Sequence, residues 1–582
     1  METISIKFDG KDYAARRGST ILAVALESQK LPASFMRVDI PAPYYYKGIN
    51  DIDESGVCVV EVDGKLVNAS NTRIKPGMEV ATRSEAVTAA RKEALSKILA
   101  IHDKDCTSCF RTDNCEFQEL LYQYGFTDEA WLPSEEKVAL DTSSRVLVRD
   151  NNKCIRCRRC VNVCTKIQSV SAIECTGEGL EAVIAPASPS GLDAASCVNC
   201  GQCVAVCPVG ALFEKDESQD VLAAIADSEK FVIAQVAPAV RATLGEAFEF
   251  PLGVDVEKRI PAALRELGFD KVFDAKFGAD LTIMEEANEF MERMQNDGVL
   301  PMITSCCPGW IKYCEHFYPN MIENLSSCKS PHQMLGAIAK SYYAEQLGID
   351  KENIVVVSIM PCTAKKYERQ RDGESGAGVP DVDVVLTVRE LARILEKAEV
   401  QIEAVPFEAF DAPFGLGTGA GVIFGASGGV MEAALRTAVE KLTKEELKSL
   451  EFSDVRGMSG IKEASYTAAG IEIKVAVVSG LGNANSLLQR VSSGEAYYDF
   501  IEVMACPGGC INGGGLPYPS AITRAQEDVR AKRASALYSS DTRSKIRKSH
   551  ENPMIVQLYE SYLGEPGSEK AEQLLHTFYA VR

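Results

Sequence analysis

Three features are missing from this 582-residue chain, and each absence argues against a class of function. No apolar run approaches the ~20 residues of a membrane-spanning helix, so we expect no membrane insertion. Its 62 Lys and Arg residues stand against 82 Asp and Glu residues, a net charge of −20. That balance argues against nucleic-acid binding, which needs a basic face. The glycine-rich stretch GLGTGAGVIFGASGG matches neither the dinucleotide-binding nor the P-loop spacing.

What remains is typical of globular material, and the chain is long enough for about three to five domains. The pair Arg16-Arg17 resembles the start of an export signal. However, the apolar run behind it is short, carries Glu27 and lacks a small-residue cleavage site. We therefore expect a cytoplasmic protein, in which thiols stay reduced. The spacing of the 20 cysteines then decides their role.

The clearest pattern is a cysteine motif that occurs twice, in CIRCRRCVNVC and CVNCGQCVAVCP. Both copies have the spacing C-x2-C-x2-C-x3-C of ferredoxins that hold two [4Fe-4S] clusters, in which the last cysteine of each copy binds the other cluster. Two zinc sites are the alternative, but the third and fourth cysteines of each copy disfavour them. The sequence therefore predicts one cluster on Cys154, Cys157, Cys160 and Cys207, and another on Cys197, Cys200, Cys203 and Cys164.

A third candidate metal site precedes this pair, in the segment HDKDCTSCFRTDNC. Its potential ligands are His102, Cys106, Cys109 and Cys115. Taken alone, the spacing suits zinc as well as a [4Fe-4S] cluster. Beside an electron-transfer module we favour the cluster, and a histidine ligand should set its potential apart from its neighbours.

The N-terminal region predicts a small β-rich domain. Two hairpins flank the helical segment ILAVALES, for which Ser19 can serve as the N-cap. This order suggests the β-grasp fold of plant-type [2Fe-2S] ferredoxins. Such a cluster needs four cysteines, and the region contains only Cys58. The other three ligand positions align with Met36, Ser55 and Ser70. We therefore expect no [2Fe-2S] cluster here.

From about residue 225, β-branched segments such as FVIAQVA and IVVVSIM alternate with helical segments such as TIMEEANEFMERMQ. This alternation predicts a large α/β domain. Three motifs within it, TSCCPGW, MPCTAKKYE and MACPGGCINGGG, supply four cysteines that can converge on folding: Cys307, Cys362, Cys506 and Cys510. Spacing alone supports only a further buried iron–sulfur site.

The expected architecture is an α+β multidomain chain with four parts. These are a β-grasp ferredoxin-like domain without a cluster (1–83), a histidine- and cysteine-ligated [4Fe-4S] domain (84–142), a 2[4Fe-4S] bacterial ferredoxin-like domain (143–218) and a large α/β catalytic domain (219–582).

The motifs together resemble the [FeFe]-hydrogenases. TSCCPGW, MPCTAKKYE and EVMACPGGCINGGG look like the three signatures of that family. The order of the upstream domains is similar to that of its large clostridial-type members. The resemblance implies reversible hydrogen oxidation and proton reduction at a six-iron H-cluster, with three accessory [4Fe-4S] clusters that carry electrons. Cys307, Cys362, Cys506 and Cys510 would hold the cubane part, and Cys510 would bridge to a two-iron unit with carbonyl, cyanide and dithiolate amine ligands.

The resemblance also implies roles for side chains around the H-cluster. Cys306, not a ligand, would carry a proton, and the rest of the proton path would comprise Glu286, Ser326, Glu289 and Arg293. Taken alone, the segment EEANE is more typical of a solvated acidic helix face than of a proton path. Residues expected to contact the two-iron unit or line its pocket are Lys365, which would bind a cyanide, Met360, Met504, Ala237 and Pro238.

Four cysteines have no ligand or proton-transfer role in this scheme, and we expect them to be buried small apolar residues: Cys58, Cys175, Cys314 and Cys328. The expected partners are hydrogen, protons and either a ferredoxin or iron–sulfur subunits, as in hydrogen-dependent carbon dioxide reductases. In the CIRCRRC loop, Arg156, Arg158 and Arg159 either form a basic docking patch or pair with local carboxylates.

Two other functions deserve comparison. An iron–sulfur assembly factor similar to the nuclear prelamin A recognition factor group would keep cluster cysteines but lose the residues around the active site. The presence of Cys306, Lys365, Glu286 and Glu289 disfavours it. A hydrogen sensor would be expected to carry a PAS-like signalling domain, and none is evident in the sequence.

Overall fold

The computed structural model describes residues 2–32, 37–112, 114–126, 137–447 and 449–582. Its N-terminal part is a five-stranded sheet of order β2-β1-β5-β3-β4 with one helix packed on it. The elements are β1 (Thr3–Phe8), β2 (Lys11–Arg16), α1 (Ile21–Ser28), β3 (Val59–Val62), β4 (Lys65–Asn68) and β5 (Glu79–Ala81).

The N-cap of α1 is Thr20, whose hydroxyl accepts a hydrogen bond from the Ala23 amide at 3.2 Å. The expectation of Ser19 is therefore wrong by one residue. Thr20 has the extended backbone that an N-cap needs, whereas Ser19 belongs to the preceding turn, with its amide bonded to the Arg16 carbonyl.

The middle of the chain is built from short elements around the cysteine motifs. Helix α2 begins after Ser84, which caps it, and ends just before His102. The elements are α2 (Glu85–Ala100), α3 (Glu116–Gln123), β6 (Leu147–Arg149), α4 (Arg159–Asn162), β7 (Ile173–Thr176), β8 (Val183–Pro186), α5 (Gln202–Val206), β9 (Leu212–Glu214) and α6 (Ser218–Ala226).

The large C-terminal part has two four-stranded sheets flanked by helices. The strands are β10 (Phe231–Val236), β11 (Lys271–Asp274), β12 (Met302–Ile303), β13 (Ile354–Met360), β14 (Val384–Thr387), β15 (Ile461–Ala468), β16 (Ile471–Ser479) and β17 (Phe500–Met504). The helices are α7 (Ile260–Leu267), α8 (Lys276–Gln295), α9 (Pro308–Phe317), α10 (Pro331–Ile338), α11 (Ala344–Leu347), α12 (Ala364–Glu368), α13 (Val388–Lys397), α14 (Gly419–Ile423), α15 (Gly429–Thr443), α16 (Leu481–Ser492), α17 (Ala521–Gln526), α18 (Val529–Arg543), α19 (Pro553–Leu558) and α20 (Glu569–Leu575).

The first of these sheets has the order β11-β10-β13-β14 and is entirely parallel. The second has the order β12-β17-β16-β15, in which only the β15–β16 pair is antiparallel. Parallel strands end at the same edge of a sheet, and ligands of α/β proteins bind at that edge. The loops that follow β10, β12, β13 and β17 contain the motifs singled out in the sequence.

Large apolar clusters fill the space between the sheets and helices, and a separate one lies beneath the N-terminal sheet. Within the described part of the chain, the structure contains no helix with the length and apolar character needed to cross a membrane.

Candidate metal centres and active site

Four cysteines converge at the carboxyl ends of parallel strands from the two C-terminal sheets. Cys307 follows β12, Cys362 follows β13, and Cys506 and Cys510 follow β17. Burial, with the negative charges of Cys362 and Cys307 added, raises the pKa of both Cys506 and Cys510. Thiolates packed together in this way need bound cations to offset their charge, and iron ions supply it. The residues present therefore fit an iron–sulfur cluster.

The distances between the ligand atoms distinguish a site for a multi-iron cluster from a site for a single zinc ion. Within the described ranges, only Glu440, His550 and Glu551 bring three potential ligand atoms within 4.8 Å of one another. Zn–S bonds of about 2.3 Å would hold sulfurs about 3.8 Å apart. The cysteine sites are wider than that, as a cube of four irons requires.

Three further sites form cavities lined by cysteine sulfurs in the middle of the chain. The first is lined by His102, Cys106, Cys109 and Cys115, the second by Cys154, Cys157, Cys160 and Cys207, and the third by Cys164, Cys197, Cys200 and Cys203. The last cysteine of each motif copy thus lies with the other copy.

The four sites follow one another through the molecule. Gly210, three residues after Cys207, has no room for a side chain, because a Cβ there would lie 2.4 Å from the Cys109 sulfur. Besides burial, the charge of Cys160 raises the pKa of Cys203. Likewise, the charge of Cys362 adds to burial in raising the pKa of Cys200. The order is therefore the His102 site, the Cys207 site, the Cys200 site and the site of Cys362.

Cys306 lies beside the four-cysteine site without belonging to it. Its carbonyl accepts a hydrogen bond from Lys365, and burial followed by the charge of Glu286 raises the pKa of its thiol well above the usual range. Burial, with Glu289 and Glu502 nearby, raises the pKa of Glu286 to about 8. Both groups therefore hold a proton at neutral pH. Neither oxygen of Glu286 has a hydrogen-bond partner among the described residues.

The outer part of the expected proton path is hydrogen-bonded. Ser326 Oγ donates to Glu289 Oε2 at 2.7 Å, and Arg293 Nη2 donates to Glu289 Oε1 at 2.6 Å. The Arg293 side chain retains 17% exposure, so this end reaches solvent. Glu286 lies one helical turn before Glu289 on α8, and a bridging water would complete the connection to it.

Lys365 is held by two acceptors, the Cys306 carbonyl at 3.0 Å and Glu368 at 2.8 Å. An ammonium has three N–H donors, so the third remains for a ligand in the site. Glu368 also accepts hydrogen bonds from Ser330 Oγ and His332 Nε2. Although burial disfavours its charge, Lys365 and His332 hold the pKa of Glu368 down to about 2. The ion pair therefore persists at all ordinary pH values.

No sequence pattern singled out His332. Burial, then the charge of Lys365, lowers the pKa of His332 to about 4, so its ring is neutral. Gln235 donates to Ser358 Oγ at 2.8 Å, and the Ser358 hydroxyl donates to His332 Nδ1 at 3.0 Å. Proton-free Nδ1 leaves the ring hydrogen on Nε2, facing Glu368. The one available signal was Glu368, three residues after Lys365 in MPCTAKKYE.

The residues expected to line the pocket all lie at strand ends. Met360 and Met504 are the last residues of β13 and β17 and are almost fully buried. Ala237 and Pro238 follow β10, and the Ala237 amide bonds the Ile359 carbonyl at 3.0 Å. Gly509 has φ +100°, and a Cβ there would lie 2.6 Å from the Ser427 amide nitrogen and 3.0 Å from the Met504 sulfur, which explains a glycine at that position.

In the N-terminal part, two of the positions aligned with [2Fe-2S] ligands are serines that hydrogen-bond other side chains. Cys58 is fully buried, and Met36 lies outside the described residues. The hydroxyl of Ser55 donates to Asp53, and that of Ser70 to Asn68 at 2.6 Å. The buried Asp53 carboxylate instead organises the neighbouring loop, where it accepts hydrogen bonds from the Tyr44 and Tyr45 amides.

For Arg159, the structure bears out the pairing with a local carboxylate: its side chain is 1% exposed and donates to Glu116 at 3.0 Å, because helix α4 turns it into the protein. One expectation about the remaining cysteines is wrong. Cys175 is only half-buried, because it lies in the short β7–β8 hairpin, whereas Cys58, Cys314 and Cys328 are buried as expected.

Family models match most of the chain. Residues 230–514 match the iron only hydrogenase large subunit, C-terminal domain, and residues 527–582 match the iron hydrogenase small subunit. Upstream, residues 1–85 match a 2Fe-2S iron-sulfur cluster binding domain, residues 91–130 the NADH-ubiquinone oxidoreductase-G iron-sulfur binding region, and residues 153–211 a 4Fe-4S dicluster domain.

Two curated relatives align over 100% of this chain and of their own length. They are the NADP-reducing hydrogenase subunit HndD of Solidesulfovibrio fructosivorans, 46% identical, and iron hydrogenase 1 of Clostridium pasteurianum, 41% identical. Among solved structures, a variant of apo [FeFe]-hydrogenase HydA1 from Chlamydomonas reinhardtii matches with a TM-score of 0.56 at 43% identity, and covers 63% of this chain and 99% of its own.

Proposed function

The chain belongs to the [FeFe]-hydrogenases, and on that premise we propose which of its residues carry out the reversible conversion of hydrogen into two protons and two electrons. The observation that carries the proposal is the convergence of four cysteines at the carboxyl ends of parallel strands from two sheets, with a fifth cysteine, Cys306, beside them. Cys307, Cys362, Cys506 and Cys510 would hold the H-cluster, with Cys510 as the bridging ligand. When bound, the H-cluster supplies the iron at which hydrogen is cleaved or formed.

The proton route is proposed to begin at the sulfur of Cys306. Cys306 Sγ holds a proton at neutral pH and exchanges it with the carboxyl of Glu286 through an ordered water. From Glu286 the route continues to Glu289 and Ser326, which are hydrogen-bonded to each other, and Arg293 marks its exit to solvent. A low-dielectric path of this kind excludes bulk water while it moves one proton at a time.

Lys365 is proposed to orient the two-iron unit through its third N–H, which would bind a cyanide ligand. Glu368 and His332 fix the direction of the lysine side chain and keep it charged. Met360, Met504, Ala237 and Pro238 would exclude water from the same pocket.

Electrons are proposed to travel through three accessory [4Fe-4S] clusters in the observed order of sites. The four cysteine-containing sites lie in domains that we place at 84–142, 143–218 and 219–582. We propose a β-grasp fold for the domain at 1–83, which the strand order β2-β1-β5-β3-β4 supports. The domain matches a [2Fe-2S] domain model, but its single cysteine supports the proposal that it holds no such cluster.

We also propose a cytoplasmic location and a role as one subunit of a larger assembly, with a ferredoxin or iron–sulfur subunits as electron partners. The full-length likeness to a protein described as a hydrogenase subunit supports the second point.

The function is tested by loading the whole chain with the two-iron precursor and measuring hydrogen oxidation and evolution with a viologen dye. Hydrogen turnover in both directions is the expected result. A protein that binds the precursor, as its carbonyl and cyanide infrared bands would show, and yet turns over no hydrogen would refute it. An assembly factor would give that negative result.

A further inference from the structure

An open cavity lies between the N-terminal domain and the first cysteine motif. Its N-terminal wall includes Asp51 and Glu54. The opposite wall includes Arg156, Cys157, Arg158 and Lys166. The cavity is therefore lined in part by a proposed cluster ligand, Cys157, and a molecule bound in it would lie close to that cluster.

The two arginines occupy backbone positions that do not favour arginine. Arg156 has φ +62° and Arg158 has φ +63°, both in the left-handed region. The second copy of the motif has the same conformation at the equivalent positions, Asn199 (φ +59°) and Gly201 (φ +68°). Asparagine and glycine adopt this region readily, whereas a long side chain is disfavoured there. The backbone conformation thus does not explain why these two positions carry arginine. The explanation must lie in what the arginine side chains bind.

The side chains of these arginines are also poorly neutralised. The Arg156 guanidinium has no hydrogen bond or ion pair among the described residues, and Arg158 has only a 3.7 Å contact to Glu54, which is itself 68% exposed. By contrast, the next residue, Arg159, is buried and forms an ion pair with Glu116. The walls of the cavity thus carry three cations and two carboxylates, in a chain whose net charge is −20.

We propose that Arg156 and Arg158 bind surface carboxylates of an acidic, ferredoxin-type electron carrier, which docks over the Cys207 site, next to Cys157. A guanidinium offers paired N–H donors that match a carboxylate, and opposite charge speeds the encounter. Each encounter transfers one electron: the reduced carrier is oxidised, and the cluster on Cys154, Cys157, Cys160 and Cys207 is reduced. Two encounters supply the electrons for one hydrogen molecule. This rests on the proposed function, since it needs a cluster at that site.

The asparagine and glycine of the second motif suggest the test variant. Arg156→Asn with Arg158→Gly removes both guanidinium groups and keeps residues that suit the left-handed backbone. Arg156→Asn alone is the second variant, in case the double change disturbs the loop. Arg145→Asn is the matched control, because that side chain is 61% exposed in the same region but lies outside the cavity.

The probe is an acidic bacterial ferredoxin with two [4Fe-4S] clusters. Its affinity for the holoenzyme is measured by calorimetry in the oxidised state, at low and high salt, and its KM is measured in the reduced state during hydrogen evolution. We expect Kd and KM to rise about tenfold in the double variant, with a weaker salt dependence, and to stay unchanged in Arg145→Asn. Dye-linked turnover and the cluster EPR signals serve as references for an intact enzyme.

Unchanged ferredoxin affinity and salt dependence in both arginine variants would overturn the proposal. So would a wild-type enzyme that evolves hydrogen with methyl viologen but does not bind the ferredoxin, because the carrier class would then be wrong. If the matured wild type shows no dye-linked turnover, that result refutes the proposed function and is thereby distinguished from a failure of the docking site.

Discussion

At the residue scale, the two neighbouring cysteines of TSCCPGW have different surroundings. Cys307 faces the other three cysteines, and its sulfur accepts a hydrogen bond from the Ala505 amide at 3.3 Å. Cys306 instead lies near Glu286 and Lys365, whose charges act on its thiol in opposite directions. One sulfur is placed to bind a metal, and the other to hold a proton.

Replacement of Cys306 by serine should slow dye-linked turnover by about 10²–10⁴-fold, because a hydroxyl is a far weaker acid than a thiol. Cluster content and infrared bands should stay normal. The matched control is Cys175→Ser, the same chemical change at a half-buried cysteine distant from the site, and it should retain full activity. Turnover near the wild-type rate in fully matured Cys306→Ser would contradict the proton route.

The pH behaviour of Glu286 follows from its burial. Its folded pKa of about 8 lies above the ordinary 4.5, so the native state keeps a proton that the unfolded chain has lost. The stability from this proton is fully present below about pH 4.5 and is lost as the pH rises to about 8. In protein without the two-iron unit, a protonated-carboxyl infrared band should be present at pH 7, fade above pH 8 and be missing in Glu286→Gln. A band that titrates near pH 4.5 would contradict this.

At the element scale, the strand that ends at Met360 was predicted from its β-branched run IVVVSIM, whereas the strand before Met504, FIEVM, carries a glutamate in its middle and was not. The arginine loop was harder to interpret, since the turn of α4 that buries Arg159 depends on tertiary packing against Glu116. His332 had no local signal at all, because its partners Ser358 and Glu368 come from distant elements.

Gly278 sets the contact between α8 and α10. A Cβ there would lie 2.0 Å from the Pro331 carbonyl oxygen. Gly278→Ala should therefore force the helices apart and cost about 1–3 kcal/mol, seen as a lower thermal midpoint. It should also slow turnover, because α8 carries Glu286 and Glu289. Glu292→Ala, on the exposed face of the same helix, is the control and should change stability by less than about 0.5 kcal/mol. An unchanged midpoint in Gly278→Ala would refute the packing argument.

At the scale of the whole molecule, the N-terminal domain packs on the first cysteine motif. Tyr44 donates a hydrogen bond to the Ile155 carbonyl, and Asn50 donates one to the Cys157 carbonyl at 2.7 Å. In the opposite direction, Lys166 donates to the Ile49 carbonyl at 3.0 Å. The single cysteine of this domain was evident from the sequence, but the contact was not, because it joins segments more than 100 residues apart.

The iron content of the whole chain tests this view of the N-terminal domain. We expect three four-iron clusters and one six-iron H-cluster, and no [2Fe-2S] signal in EPR or Mössbauer spectra. Cys58→Ala should leave both iron content and spectra unchanged. A [2Fe-2S] signal that disappears in Cys58→Ala would show that the domain binds a cluster after all.

The central claim is that the four-cysteine site, with Cys306 beside it, activates hydrogen. The most direct test is isotope exchange under D2 in ordinary water, since it needs neither the electron relay nor a partner. The matured enzyme should release HD, the Cys306→Ser enzyme should release it far more slowly, and the same protein without its two-iron unit should release none. Background HD from an enzyme whose infrared spectrum shows the unit in place would contradict the account.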